Sequence, residues 1–249
     1  MSSTTRQRAR TTERAAKQPG ATEHGKSESL SSPDLVVRAI LDGIAAGRYV
    51  PGQRLMEADL TRTLKVSRGP VREALKRLAA ERVIVLTRHR GAHVRALTRA
   101  EVDDLMEVIE VLMGTSARLA ARHVDEGGNR ARFVRAYERL MAHRRVGDSF
   151  AFMEDRDRFY GAMTAIGGNR ELAHLLPATH VRLIRLQCQP YLQPFDREHQ
   201  FREYEAIGEA ILAADPRRAE RYTRMHMRRN RKVYLSLPDE AFAVSSDED

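Results

Sequence analysis

The spacing of apolar residues changes near residue 97, and this change divides the chain into two parts. Residues 33–97 contain three short helical patterns followed by two strand-like runs, whereas residues 99–235 contain only long helical patterns. We therefore expect a mainly α protein with a small N-terminal domain at 33–97 and an all-helical domain at 98–236. Residues 1–32 are rich in Ser, Thr and Arg and are expected to form a disordered basic tail, and residues 237–249 an acidic tail that frays.

Composition limits the classes of protein that this chain can belong to. No apolar run reaches the roughly 18 residues that a membrane span needs, and the first residues lack the apolar core of a signal peptide. The single cysteine, Cys188, excludes an intrachain disulfide and suits a reducing cytoplasm. G-x-S-x-G, Walker and H-E-x-x-H motifs are absent, which argues against an enzyme. The net charge of +9 suits a nucleic-acid partner, although an arginine-rich composition alone gives the same charge.

Three helices and a hairpin are predicted in the N-terminal domain. The first helix should begin with Ser32 as its N-cap and Pro33 at its first position, and the second should cover about 57–64. A tight turn then leads to Ser67, whose hydroxyl is expected to cap the third helix. Residues 83–87 and 92–97 predict a β-hairpin with a basic tip at 88–91. This order of elements is that of a winged helix-turn-helix.

The segment VSRGPVREALKRL, residues 66–78, predicts a helix that contacts DNA. Its outward positions include Arg68, Arg72 and Lys76, and an α-helix fits the major groove while its N-terminus attracts phosphate. Residues 33–97 contain 13 Lys and Arg against six Asp and Glu, a net charge of +7, so most of the positive charge of the chain lies here. A face that is merely solvated would mix both signs evenly. Double-stranded DNA is therefore the expected partner.

The run PGQRLMEADLTRTLKVSRGPVREALKRLAAERVIVLTRHRGAHV, residues 51–94, closely resembles the DNA-binding domain of GntR-family bacterial transcription regulators. Their pattern is PG-x-x-L, then L-A-x-x-L-x-VSR-x-PVREAL-x-x-L, then a wing that ends in G-x-x-V. The resemblance implies a DNA-binding site, which we extend with basic residues of the helix and the wing tip: Ser67, Arg68, Arg72, Lys76, Arg88, Arg90 and Gly91. The chain departs from the pattern at Ala58, where many members have an arginine, and at Arg82, where a glycine usually precedes the wing.

The C-terminal domain should contain six or so helices. Their predicted ranges are 99–124, 128–145, 148–166, 169–188, 195–213 and 216–235. Thr98 with Glu101 forms a capping box, Asn169 is an N-cap, and Asp215 with Pro216 begins the last helix. Such a bundle is also compatible with dimerisation as its only role.

The order of these helices, together with the DNA-binding domain, resembles the FCD-type effector domain of the FadR-like subfamily of GntR regulators. The resemblance implies a small carboxylate ligand, often held through a metal ion by a D-x-x-F-H pair and by two histidines of the last two helices. This chain has Arg156 at the Asp position, Tyr160 and Tyr204 at two His positions, and only His226 as in the family. One imidazole beside a guanidinium is not a metal site, so we expect no metal and no other cofactor.

The other pocket positions have also changed. The first helix of the family's domain often carries an Arg and a Glu one turn apart, and here these positions are Ile109 and Met113. We therefore predict a metal-free pocket in which Arg156 binds a small organic acid with an apolar or aromatic body. Asp155 and Asp157 point about 100° away from the face of Tyr160 on a helix, so we expect them to be poor substitutes for the missing ligands.

Together these patterns predict a cytoplasmic, homodimeric, ligand-responsive regulator of an operator, with repression the usual role in the family. One alternative stays open: the tyrosines fill the pocket, and the regulator has no small-molecule effector. A membrane partner is not expected, because the basic N-terminal tail lacks an amphipathic pattern.

Overall fold

The structure is mainly helical with one small sheet. It is a computed structural model that describes residues 31–87, 91–145, 150–176, 178–192 and 197–244. The N-terminal helices are α1 (Ser32–Ala45), α2 (Glu57–Leu64) and α3 (Arg68–Ala80), and the strands are β1 (Arg54–Leu55), β2 (Ile84–Thr87) and β3 (Gly91–Val94). The C-terminal helices are α4 (Arg99–His123), α5 (Asn129–Ala142), α6 (Phe150–Gly167), α7 (Arg170–Leu175), α8 (Ala178–Cys188), α9 (Arg197–Leu212) and α10 (Pro216–Leu235). The predicted fold class, a winged helix-turn-helix followed by an all-α bundle, is confirmed.

The core of the N-terminal domain lies between α1 and α3. Val36 and Ile40 of α1, and Val71 and Leu78 of α3, are completely buried, as the helical spacing of these residues predicts. The predicted start of α1 was one residue late. Ser31 is the N-cap and accepts a hydrogen bond from the backbone N–H of Asp34.

The wing is a three-stranded antiparallel sheet in the order β1-β3-β2. The predicted hairpin pairs Ile84 with Val94 and Thr87 with Gly91. The third strand, β1, was not predicted, because two residues are too short for any periodicity to be visible in the sequence. Its Arg54 lies opposite His93.

Arg82 adopts a left-handed backbone conformation with φ of +58°, two residues before β2 begins. A side chain with a Cβ is strained in this region, whereas glycine is not. This conformation explains why the pattern of the GntR family has a glycine at this position.

The predicted helix at 169–188 is in fact two helices, α7 and α8. Leu176 has an extended backbone with ψ of 112°, as expected for a residue that precedes a proline, here Pro177 of the sequence. The other predicted helix starts are confirmed: Thr98 and Glu101 form a reciprocal capping box, and Asn169 and Asp215 accept capping hydrogen bonds. Every helix in the described part of the chain is too short or too polar to cross a membrane.

The acidic C-terminal stretch was expected to fray from residue 237, and for its first residues this was wrong. Leu237 and Ala241 are buried, and the backbone N–H of Ala243 donates to the carbonyl of Leu97 at 3.0 Å. The guanidinium of Arg99 lies 4.3 Å from the ring centroid of Phe242. This segment therefore packs where the N-terminal domain joins the helical domain.

Arg82→Gly is expected to raise the free energy of unfolding by about 0.5–1 kcal/mol, because relief of the left-handed strain exceeds the extra backbone entropy of glycine. Urea unfolding followed by circular dichroism measures this change. Arg82→Ala is the matched control, since alanine keeps the Cβ and should give no gain. An equal gain from alanine would mean that the arginine side chain, and not its backbone, is unfavourable.

Candidate DNA-binding and effector sites

One face of α3 carries the predicted basic residues. Arg68, Arg72 and Lys76 are all exposed and follow one another at intervals of four, so they form one stripe along the helix. Arg77 is not available to the same degree, because it pairs with Asp34 at 2.8 Å and with Glu73.

Ser67 is the N-cap residue of α3, but its hydroxyl makes no capping hydrogen bond, so the predicted cap was wrong. Pro70, at the third helical position, has no N–H and so removes one of the two backbone donors that an N-cap side chain uses. The exposed hydroxyl of Ser67 and the free N–H groups of the first turn are therefore available to form hydrogen bonds with a ligand. A phosphate oxygen fits such a helix start.

Arg72 is held by an acidic residue of the preceding helix. Its Nε lies 3.0 Å from Oε2 of Glu57, which lies at the start of α2. Both side chains are exposed, so this ion pair contributes little stability. The ion pair instead orients Arg72, because it limits the directions in which the guanidinium can point.

Gly91, the first residue of β3, has φ of +85°. A Cβ at this position would lie 3.6 Å from Nε of Arg54, so the exposed guanidinium of Arg54 lies beside the start of β3. Arg88 and Arg90, the other predicted wing contacts, lie outside the described residues.

A cavity of about 400 Å³ lies in the helical domain among α4, α6, α7, α8 and α10. Four of the six predicted pocket residues line it: Ile109, Met113, Arg156 and Tyr160. Most of its other lining is apolar, and this part includes Met106, Leu176, Val181, Ile184 and Met227. Its volume lies within the range of small-molecule sites.

Arg156 is the cationic group of the cavity and is only 4% exposed. Its Nε donates to the hydroxyl of Tyr204 at 3.2 Å, and its guanidinium carbon lies 4.9 Å from the ring centroid of Tyr160. Nη1 lies 3.9 Å from Oδ1 of Asp157, beyond hydrogen-bond distance. Burial disfavours the charge, but the neighbouring tyrosines and Asp157 favour it, and the pKa of Arg156 is raised. Arg156 is therefore a buried cation.

Tyr204 and His226, the other two predicted pocket residues, lie behind the cavity wall rather than in it. Both are completely buried, and their ring centroids are 5.0 Å apart. Nδ1 of His226 lies 2.7 Å from Oε2 of Glu203, and Nε2 lies 3.0 Å from Nδ2 of Asn230. Both imidazole nitrogens therefore have protein partners.

The residues at the family's metal-ligand positions do not fit a metal ion. Arg156 is a cation, Tyr204 accepts its hydrogen bond, and both nitrogens of His226 are occupied. No cluster of three or more His, Cys, Asp or Glu side chains that could hold a metal occurs within the described ranges. The donor set suits an organic anion better than a divalent cation.

Four polar residues of the cavity wall were missed, and one of them is Thr164. Asp157 was expected to point away, yet it lines the cavity, and so do Asn230 and Tyr234. The sequence alone could have identified Asn230 and Tyr234, because they follow His226 at intervals of four and therefore lie on the same face of α10. The position of Asp157 depends on Arg182 of α8, whose Nη1 lies 2.7 Å from Oδ2 of Asp157.

Helix α8 connects the cavity wall to the N-terminal domain. Val181 and Ile184 line the cavity, while Nη2 of Arg182 donates to the carbonyl of Ala45, the last residue of α1. Near the other end of α8, the amide of Gln187 accepts from the N–H of Leu97 at 2.8 Å and donates to its carbonyl at 2.7 Å. One short helix thus contacts the cavity, α1 and the segment between the domains.

Two family models match the chain. Residues 34–94 match the model described as bacterial regulatory proteins, gntR family, and residues 104–229 match the model described as FCD domain. The two matches cover the winged helix and most of the helical domain.

Comparison with individual proteins also gives transcription regulators. The chain is 38% identical to the Nta operon transcriptional regulator of Aminobacter aminovorans over 78 residues, 31% of this chain and 37% of that protein. It is 25% identical to the HTH-type transcriptional repressor GlaR of Escherichia coli (strain K12) over 76% of this chain and 90% of that protein. The fold is similar to that of E. coli McbR/YncC, with a TM-score of 0.71, 19% identity, and coverage of 83% of this chain and 98% of that one.

Arg72→Ala is expected to weaken binding to a DNA site selected with the wild-type protein by roughly 1–3 kcal/mol, because we expect Arg72 to contact a base. Fluorescence anisotropy at fixed salt concentration measures the affinity. Arg217→Ala, an exposed arginine of α10, changes the net charge equally and is the matched control. Equal losses in the two variants would show that Arg72 acts only through the total charge.

Proposed function

The chain belongs to the GntR family of bacterial regulatory proteins and carries an FCD domain, and on this premise we propose that it is a repressor released by a small organic acid. It is a DNA-binding transcription regulator, as the members of this family are. We place the acid in the cavity of the helical domain and the operator at the stripe of α3 and the wing. Repression is proposed because the relative GlaR is a repressor.

The observation that carries this proposal is the buried guanidinium of Arg156. Among the described residues, only the hydroxyl of Tyr204 accepts a hydrogen bond from it, through Nε. The two Nη nitrogens have no hydrogen-bond acceptor there, and a buried charge without acceptors is unfavourable. A carboxylate can accept from both nitrogens at once. The cavity therefore has one position suited to an acid group.

The rest of the ligand should be apolar or aromatic. Methionine, isoleucine and valine side chains line most of the cavity, and the faces of such side chains offer no hydrogen bonds. The volume of about 400 Å³ also speaks against the alternative in which the two tyrosines fill the pocket. An acid of the size of a substituted benzoate or phenylpropanoate fits this combination.

Helix α8 supplies a physical route from the cavity to the operator. An anion beside Arg156 repels Asp157, and Asp157 is the partner of Arg182, which in turn holds the end of α1. A ligand that favours another position of Asp157 thus favours another pose of the winged helix. Operator affinity then changes because the populations of the two poses change.

We also propose that the regulator is a homodimer. Val108 and Val111 are 53% and 46% exposed on α4, an apolar pair that a second copy would cover. Two winged helices would then bind two half-sites of one operator. Sedimentation equilibrium should give twice the mass of one chain; a monomer that binds a single operator with full affinity would contradict the proposal.

The effector proposal is tested with two variants and a panel of carboxylic acids. Thermal shift with the wild type identifies an acid that binds, and calorimetry then measures its affinity. Arg156→Met should weaken that affinity at least about tenfold, because charge-assisted hydrogen bonds are lost, while operator binding without the acid stays intact. Arg182→Met should still bind the acid but respond to it less at the operator.

Arg158→Met is the matched control, since Arg158 lies on the same helix and pairs with Glu154 and Asp155 on the surface. It should behave like the wild type in both assays. If no acid of the panel binds, or if Arg156→Met binds as tightly as the wild type, the acid-binding cavity is wrong, and a regulator without an effector is the better account.

A further inference from the structure

A chain of three linked side chains, two of them buried and one partly buried, ends at the cavity wall. Glu203 of α9, His226 and Asn230 of α10 are linked by distances of 2.7 Å and 3.0 Å, and Asn230 also lines the cavity. His226 is completely buried and Asn230 is 8% exposed. The orientation of Asn230 therefore depends on groups that the ligand does not touch.

The direction of each hydrogen bond in this chain follows from its first member. Glu203 also pairs with Arg229 and His199. Burial raises the pKa of Glu203, but the hydrogen bond from His226 and the neighbouring positive charges lower it by more, so the pKa is lowered overall. An ionised carboxylate can only accept, so the proton of the neutral imidazole lies on Nδ1 of His226.

The second nitrogen of His226 then has only a lone pair. Burial lowers the pKa of His226 despite Glu203, so Nε2 acts as an acceptor. Asn230 must turn its NH₂ group toward Nε2, and its carbonyl oxygen Oδ1 then points away from the imidazole. Within the described ranges no group donates to Oδ1, and this oxygen is not among the buried unsatisfied atoms, so it borders open space.

We propose that Asn230 selects ligands by their hydrogen-bond donors: the acid bound at Arg156 carries a hydroxyl or N–H group that donates to Oδ1 of Asn230. The donor lies near the acid group, because both residues belong to one polar wall. Arg156 bonds to Tyr204, Tyr204 lies against His226, and His226 bonds to Asn230. The apolar body then lies against the methionines and aliphatic residues of the other walls. This inference rests on the proposed acid-binding cavity.

Selection follows from the cost of an unmade hydrogen bond. An acid without the donor removes water from Oδ1 and leaves this oxygen unpaired. The free-energy cost of an unpaired oxygen is larger than the free-energy gain from making one extra hydrogen bond. We therefore expect a donor-bearing acid to bind at least about fivefold more tightly than the same acid without the donor.

The first test needs no ligand. Long-range ¹⁵N NMR of histidine-labelled wild-type protein at neutral pH reports which nitrogen of each imidazole carries a proton. The resonances of His226 are assigned with His226→Gln. We expect a neutral ring with the proton on Nδ1. A proton on Nε2, or on both nitrogens, would overturn the inference and leave the acid-binding cavity unaffected.

The second test uses three matched acids: 3-phenylpropanoate and the two enantiomers of 2-hydroxy-3-phenylpropanoate, which add only a hydroxyl beside the carboxylate. Calorimetry with the wild type should show tighter binding of one hydroxy acid. Asn230→Leu should remove this preference while 3-phenylpropanoate still binds. Met225→Leu, an exposed residue of the same helix, is the control and should keep the preference.

Glu203→Gln provides a variant outside the cavity. Its amide can donate to Nδ1 of His226, so the proton of the imidazole is free to move to Nε2 and Asn230 to turn over. The preference for the hydroxy acid should then fall, although no cavity residue has changed. Equal binding of all three acids to the wild type, or an unchanged preference in Asn230→Leu, overturns the inference. If none of the three binds and Arg156→Met also changes no ligand response, the proposed function fails with it.

Discussion

A guanidinium that is removed from water needs acceptors, and the packing of α6 against α9 meets part of this need at Arg156. Tyr204 supplies one acceptor, and the aromatic ring of Tyr160 lies against the cation. The remaining nitrogens border a cavity. Because no described residue accepts a hydrogen bond from these nitrogens, the proposed acid ligand would stabilise the folded state by binding there.

The same constraint explains why a site that resembles a metal centre in its helix order has a different chemistry here. A positive side chain at one ligand position repels a divalent cation, and two phenols in place of imidazoles remove neutral nitrogen donors. His226 is the residue type that the family has at this position, but here its two nitrogens form hydrogen bonds with Glu203 and Asn230. The residues at the family's ligand positions thus support the wall at which we propose that an organic anion binds.

The connection between the two domains depends on side chains of one short helix. Arg182 holds a backbone carbonyl of α1, and Gln187 holds both backbone groups of Leu97. Because the last turn of a helix has carbonyl groups without partners in the helix, the end of α1 is a suitable place for a cation to attach. Sequence patterns did not reveal these contacts, since they join residues about 90 or more positions apart.

The sequence by itself determined the elements and the charges: apolar periodicity defined the inner face of α3, and the identity of Arg156 and Ile109 indicated an anion site with apolar walls. Only the tertiary structure decided which candidates reach the cavity. Asp157 does so because Arg182 of another helix holds it, and Tyr204 and His226 do not, because α9 and α10 pack closely at these positions. Burial and hydrogen-bond direction depend on neighbours that are distant in the chain, and helical spacing carries no information about them.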